Sequence, residues 1–123
     1  MTPNPPWTLV YADGSANVYR FVADVGGVRF AYEPVTPEQS STGTYSGGNP
    51  IDVLLAADDP RLATLWKHAA ALEDDVGRHA EERNKGDGAF TVTTEGKRRR
   101  FLVVRAATRA LEAFLSGSFR TET

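Results

Sequence analysis

Residues 17–33 read NVYRFVADVGGVRFAYE, and the alternation within this stretch decides the fold. Rings and aliphatic side chains recur at every second position on both sides of Gly26-Gly27, the period of an extended strand folded back on its neighbour. A two-residue loop at Gly26-Gly27 predicts that Val25 faces Val28, Asp24 faces Arg29, Ala23 faces Phe30, Phe21 faces Tyr32 and Arg20 faces Glu33. One face then holds Tyr19, Phe21, Ala23, Val25, Val28, Phe30 and Tyr32. The other holds Arg20, Val22, Asp24, Arg29, Ala31 and Glu33, with two ion pairs opposed across the strands. A slip of one residue would turn the aromatic rings into water.

Working outward, Trp7, Leu9 and Tyr11 alternate with Thr8, Val10 and Ala12, and Asp13-Gly14 marks a turn, so the first third of the chain reads as a three-stranded antiparallel meander. Residues 1–6 are a Pro-rich lead-in without the basic and apolar run of a secretory signal. On the other side, residues 50–56 fit two descriptions. Asn49 and Pro50 suit the start of a short helix, while Ile51, Val53, Leu54, Leu55 and Ala56 suit a buried strand. Asp59 as N-cap, Pro60 at the first helical position and Gly86 after Lys85 bound a long helix of about seven turns. Its stripe is Leu62, Leu65, Trp66, Ala69, Leu72, Val76 and Ala80.

Residues 90–104 repeat the hairpin pattern around Glu95-Gly96, which pairs Thr94 with Lys97, Val92 with Arg99 and Phe90 with Phe101. Thr91 and Thr93 fall beside Arg100 and Arg98 on the opposite face. Ala107, Ala110, Leu111, Phe114 and Leu115 follow helical spacing with Gly117 as terminator, leaving 119–123 as a tail. The element order β-β-β-α-β-β-α predicts one α+β domain over 7–118. Its sheet is mostly antiparallel with about five strands, and one long and one shorter helix pack on one face.

A chain of 123 residues, 41% hydrophobic and 24% charged, is ordinary for one domain with one core. With no cysteine, disulfides, thiolate zinc sites and cysteine nucleophiles are excluded. Nowhere do 18 apolar residues run together, so no membrane-spanning helix is expected and a cytoplasmic location is. The net charge of −2 conceals a polarity: acids cluster over 58–87, and Lys97, Arg98, Arg99, Arg100, Arg105 and Arg109 follow. Such opposed fields can meet inside the domain or draw in a second copy, so a protein partner or homo-oligomer is the expected association. No cofactor and no metal site is indicated.

Residues 40–48, SSTGTYSGG, are the candidate binding loop, uncharged and rich in hydroxyl and backbone donors. They lack the Gly-Lys-Ser/Thr ending of a phosphate loop, and Thr44 stands where a nucleophile elbow needs glycine. The candidate binding residues are Ser40, Ser41, Thr44, Tyr45 and Ser46, joined by Arg98 and Arg100 of the basic hairpin. The expected function is a non-catalytic binding or interaction module. One alternative is a small hydrolase or transferase using Ser41 or Ser46 with His68 or His79 as base and Asp75 as orienter. On a continuous helix Asp75 and His79 would be neighbours at i, i+4, whereas His68 and His79 lie about 16 Å apart, too far to share an ion. Nucleic-acid binding through Arg98 and Arg100 is the other alternative, disfavoured by the pI of 5.6 and the narrow basic footprint.

Overall fold

The two-residue alternation of the strands is realised as six β-strands in one antiparallel sheet. They are β1 (Trp7–Ala12), β2 (Val18–Asp24), β3 (Gly27–Glu33), β4 (Ile51–Leu55), β5 (Gly88–Thr94) and β6 (Lys97–Val103), in the spatial order β4-β3-β2-β1-β5-β6. Two helices, α1 (Pro60–Asp74) and α2 (Arg109–Phe119), complete an α+β domain. The computed structural model describes residues 2–39, 43–44, 46–82 and 86–120. Among these, no helix is long and apolar enough to cross a membrane.

The ambiguous segment 50–56 is a strand. It pairs with β3 from Val28↔Leu55 to Tyr32↔Ile51, which raises the strand count from about five to six. Its arrival also moves the turn of the β2–β3 hairpin. The loop is Val25-Gly26, and the strands pair Tyr19↔Tyr32, Phe21↔Phe30 and Ala23↔Val28, two residues away from the register predicted around Gly26-Gly27. A shift of two preserves every face, so the rings still point inward, and only Val25, now 98% exposed, leaves the predicted core. The cause lies in β4. Gly27 is a strand residue with φ 138°, and a Cβ placed on it would lie 2.7 Å from the Leu55 carbonyl oxygen, so the strand beside β4 needs glycine there. The Asp24 carboxylate closes the displaced turn by accepting from the Gly26 N–H at 2.7 Å.

The ion pairs adjust accordingly. Arg20 and Glu33 meet at 3.1 Å on a diagonal, and Arg29 pairs with Asp52 of β4 at 3.0 Å instead of with Asp24. The β5–β6 hairpin follows the predicted register throughout, from Thr94↔Lys97 to Phe90↔Phe101. Its first strand docks on β1, Leu9↔Val92 and Tyr11↔Phe90, and so places β1 at the centre of the sheet.

The helix beginning at Pro60 is 15 residues long, about three fifths of the predicted length. Asp59 caps it by accepting from the Arg61 N–H at 2.9 Å, and the Arg61 guanidinium beside it holds its carboxyl below the usual range. The helix ends at Asp74, where Glu73, Asp74 and Asp75 crowd acids against the negative end of the helix dipole. The chain then turns through Val76–Arg78 and binds the outer edge of β6, with Ala80 N–H donating to Leu102 and Val104 N–H donating to Arg78. Val76 therefore lies 73% exposed instead of on the predicted stripe, and Leu62, Leu65, Trp66 and Ala69 carry the packing.

By contrast α2 runs two residues past its expected terminator Gly117. Phe119 is buried, its ring 5.1 Å from that of Phe21 and 5.2 Å from that of Phe30. Burying a phenylalanine stabilises by about 2–3 kcal/mol, more than the roughly 1 kcal/mol that glycine costs inside a helix. The Arg61 guanidinium spans the two helices by donating to the Ser118 carbonyl at 2.6 Å and lying over the Phe119 ring.

Candidate functional site

Because α1 and α2 both pack on one side, the sheet has a covered face and a bare one. The covered face receives every aromatic residue of the strands: Trp7, Tyr11, Tyr19, Phe21, Phe30, Tyr32, Phe90 and Phe101 are all buried there. The bare face is defined by the register. One row across the six strands reads Leu54, Arg29, Val22, Thr8, Thr93 and Arg98. The next reads Asp52, Ala31, Arg20, Val10, Thr91 and Arg100. Leu54 and Val22 stand 68% and 42% exposed, well above the solvent access of any core residue.

Charge is graded along these rows. At the β6 end Arg98 and Arg100 are exposed, and among the described residues neither side chain takes part in an ion pair or hydrogen bond. Next to it, β1 and β5 carry only Thr8, Thr93, Val10 and Thr91. At the β2–β4 end, Arg20 and Arg29 are matched by Glu33 and Asp52, and Asp24 adds a further acid. The bare face thus runs from two uncompensated cations at one edge to a slight excess of acid at the other.

The Lys97–Arg100 run is divided by the strand period. Arg99 points to the helix side, where its guanidinium donates to Glu73 of α1 at 2.6 Å and to the Thr94 hydroxyl at 2.7 Å. Among the described residues the attraction between the basic hairpin and the acidic helix is carried by Arg99, while Arg98 and Arg100 face away.

Ser40, Ser41 and Tyr45 lie outside the described residues. Thr44 and Ser46 are exposed, and the Ser46 hydroxyl accepts from the Gly48 N–H at 3.2 Å. Gly47, in contrast, is fastened into the fold. Its N–H donates to Val35 at 2.9 Å, and its carbonyl accepts from the Tyr32 hydroxyl at 2.6 Å and from Arg120 at 2.9 Å. A Cβ on Gly47 would fall 1.9 Å from the Asn17 Oδ1, which itself accepts from the Val35 N–H at 2.8 Å. Arg120 lies over the Tyr32 ring, 4.4 Å from its centroid. This anchorage sits beside β3, on the side occupied by α2. Four interstrand spacings, about 19 Å, separate β3 from β6. Gly47, the fastened end of the loop, and the Arg98–Arg100 pair therefore do not adjoin.

The histidines sit elsewhere again. His68 stacks on Phe114 of α2 at 5.2 Å, and burial, with Lys67 adding to it, pulls its pKa below the ordinary histidine value. His79 is bridged to Val103 at the outer edge of β6, stacks on Phe101, and holds its Nε2 2.8 Å from the Leu72 carbonyl. That edge is about 24 Å, five spacings, from β3 and the fastened end of the loop. Asp75 pairs with Arg78 at 3.9 Å, so the helical Asp75–His79 pair expected from i, i+4 spacing is not formed. Among the described residues no group of three or more His, Asp or Glu is arranged to hold a metal ion.

A cleft of about 860 Å3 opens at the end of the sheet near α2, between Asp13, Ser15, Arg105, Thr108, Arg109 and Glu112. Its carboxylates hold the fold. Asp13 accepts from the Ser15 and Asn17 N–H groups, both at 2.9 Å, and Glu112 accepts from the Tyr11 hydroxyl at 2.5 Å. Burial first, and the Glu112 carboxylate second, push the Tyr11 hydroxyl far above the usual tyrosine range, so it stays a donor.

The bare face was only partly readable beforehand. Periodicity assigns each strand residue to a side, but the addition of β4 and the docking of β5 on β1 depend on contacts distant in sequence. No protein-family model, no curated protein and no solved structure matches the chain, so what the face does rests on its own geometry.

Proposed function

We propose that this chain is a non-catalytic protein-interaction module, cytoplasmic in location, that engages its partner with the bare sheet face. The observation that carries this reading is the composition of the two rows described above. Val22, Val10, Ala31 and Leu54 stand beside the hydroxyls of Thr8, Thr91 and Thr93, with Arg20 and Arg29 paired to carboxylates among them and Arg98 and Arg100 at one margin. Apolar and hydroxylated positions interleaved with paired ions, and bordered by free charge at one edge, suit a protein–protein interface. Arg98 and Arg100 are exposed and uncompensated, the state suited to steering an acidic partner surface toward the face.

Nucleic acid is the less suitable occupant. Single-stranded nucleic acid on a sheet is held by aromatic side chains that stack on bases, and here the strand aromatics all point to the covered side. Two of the four bare-face arginines are also matched by carboxylates. In this reading the hydroxyls of Thr44, Tyr45 and Ser46 are not required.

The test compares retention by the immobilised full chain with retention by Val22→Glu, by Arg98→Glu with Arg100→Glu, and by Thr44→Ala with Tyr45→Ala and Ser46→Ala. A tagged copy of the chain is included among the offered proteins. Face variants are expected to lose at least about tenfold of the retained protein with melting temperatures within a few degrees of the parent, as for exposed substitutions. Loss confined to the loop variants would overturn the assignment.

A further inference from the structure

We infer that the occupant of the bare face is a second copy of this chain, stacked face to face about a twofold axis parallel to the strands, with β6 of each copy over β4 of the other. The inference rests on the interaction-module reading and names its partner.

The argument is one of charge complementarity under symmetry. Two identical sheet faces can meet about a twofold axis lying in the interface, directed either across the strands or along them. An axis across the strands lays β6 on β6 and sets Arg98 and Arg100 against themselves, an arrangement disfavoured by like charge. An axis along the strands reverses the strand order, so the six positions of each row exchange first with last. The row ending in Arg100 begins with Asp52, so the guanidinium of one copy meets the carboxylate of the other at both edges. In the same row Ala31 covers Thr91 and Val10 meets the stem of Arg20. In the neighbouring row Val22 covers Thr8 next to the axis, Arg29 meets Thr93, and Leu54 lies beneath the aliphatic part of Arg98. No like charges oppose one another in either row.

Geometry permits the contact. Five interstrand spacings and strands of five to seven residues make a face about 24 Å by 20 Å. Side-chain relief raises the accessible area above that plan, toward the small end of interfaces that bury about 800 Å2 per partner. The dimer is therefore expected to dissociate on dilution. Packed sheets lie about 10 Å apart and cross at about 30°, which displaces the edges by about 6 Å along the strands, within the reach of an arginine.

Sedimentation velocity over a concentration series of the full chain tests the inference. Dimer is expected for the parent chain, and Val22→Glu, Arg100→Asp and Asp52→Arg are each expected to weaken it by roughly tenfold or more while unfolding cooperatively near the parental temperature. Arg100→Asp and Asp52→Arg are then mixed. Every cross-copy contact in the mixture is again attractive, so a heterodimer is expected where each variant alone is monomeric. Thermal melts monitor loss of the Arg29–Asp52 pair in Asp52→Arg, and Val22→Glu touches no ion pair. A parent chain monomeric throughout the series overturns the inference. So does a dimer indifferent to Val22→Glu and Arg100→Asp, or a mixture that fails to associate. A monomeric parent whose bare face still retains a different protein, in the capture comparison above, overturns the self-association and leaves the interaction-module reading standing.

Discussion

The two faces of the sheet share one backbone and differ in nearly everything their side chains do. On the covered face Phe21, Phe30, Tyr19 and Tyr32 stack at 4.9–6.5 Å on one another and close under α2, so that side is a packed interior. On the bare face the alternate residues are Val, Leu, Thr, Ala and ions, paired toward β4 and, among the described residues, unpaired on β6, which form no interior. The difference teaches that burial here follows from where two helices lie. The chain fills one side with rings and leaves the other chemically suited to contact that forms and breaks.

The sharpest way to break this comparison is to truncate neighbours on opposite faces. Phe21→Ala should lose about 3–5 kcal/mol of stability in a denaturant melt, whereas Val22→Ala, one residue away, should change it by about 0.5 kcal/mol or less. The melts are run dilute, where the chain is monomeric, and similar losses at both positions there would show that Val22 packs within its own copy. Next in size is Gly47→Ala. The added methyl would collide with the Asn17 amide, which cannot withdraw without leaving the buried Val35 N–H unpaired, so a loss of about 2–3 kcal/mol is expected. The neighbouring Ser46→Ala, exposed, should be near neutral.

Arg61→Ala removes the N-terminal clasp between α1 and α2 and should cost about 1–2 kcal/mol, through the lost bond to Ser118 and the lost cover over Phe119. The smallest effect is a pH slope. His68 has a folded-state pKa below its unfolded value, so the unfolded chain takes up the proton first. Its contribution is complete above about pH 6.5 and is lost as pH falls through the depressed folded value. Melting temperature should therefore decline on acidification through this window. His68→Phe, which keeps a ring against Phe114, should flatten that part of the curve.

How much of this was legible in the chain follows from the range of each interaction. The β5–β6 hairpin was readable to the residue because its loop and its pairing are local. In the β2–β3 hairpin the faces were readable and the register was not, because the need for glycine at position 27 comes from β4, more than twenty residues away. The end of α1 escaped because Val76 and Ala80 continue a helical spacing that the edge of β6 overrides by offering backbone partners to 78–80. Phe119 shows the opposite error, a glycine read as a stop where a buried ring beyond it kept the helix going. The bare face could be listed residue by residue from alternation. Its continuity across six strands, and the distance of Arg98 and Arg100 from Gly47, awaited the topology.

The bond from Gly47 to Val35 brings two points of the chain, twelve positions apart, to within 2.9 Å of each other. Chain between such fixed ends can be lengthened at little expense, since doubling a closed loop adds only about 0.6 kcal/mol of entropy. The span between them is thus the natural place to splice in a guest peptide or reporter, its two ends fixed beside β3, four strands from β6.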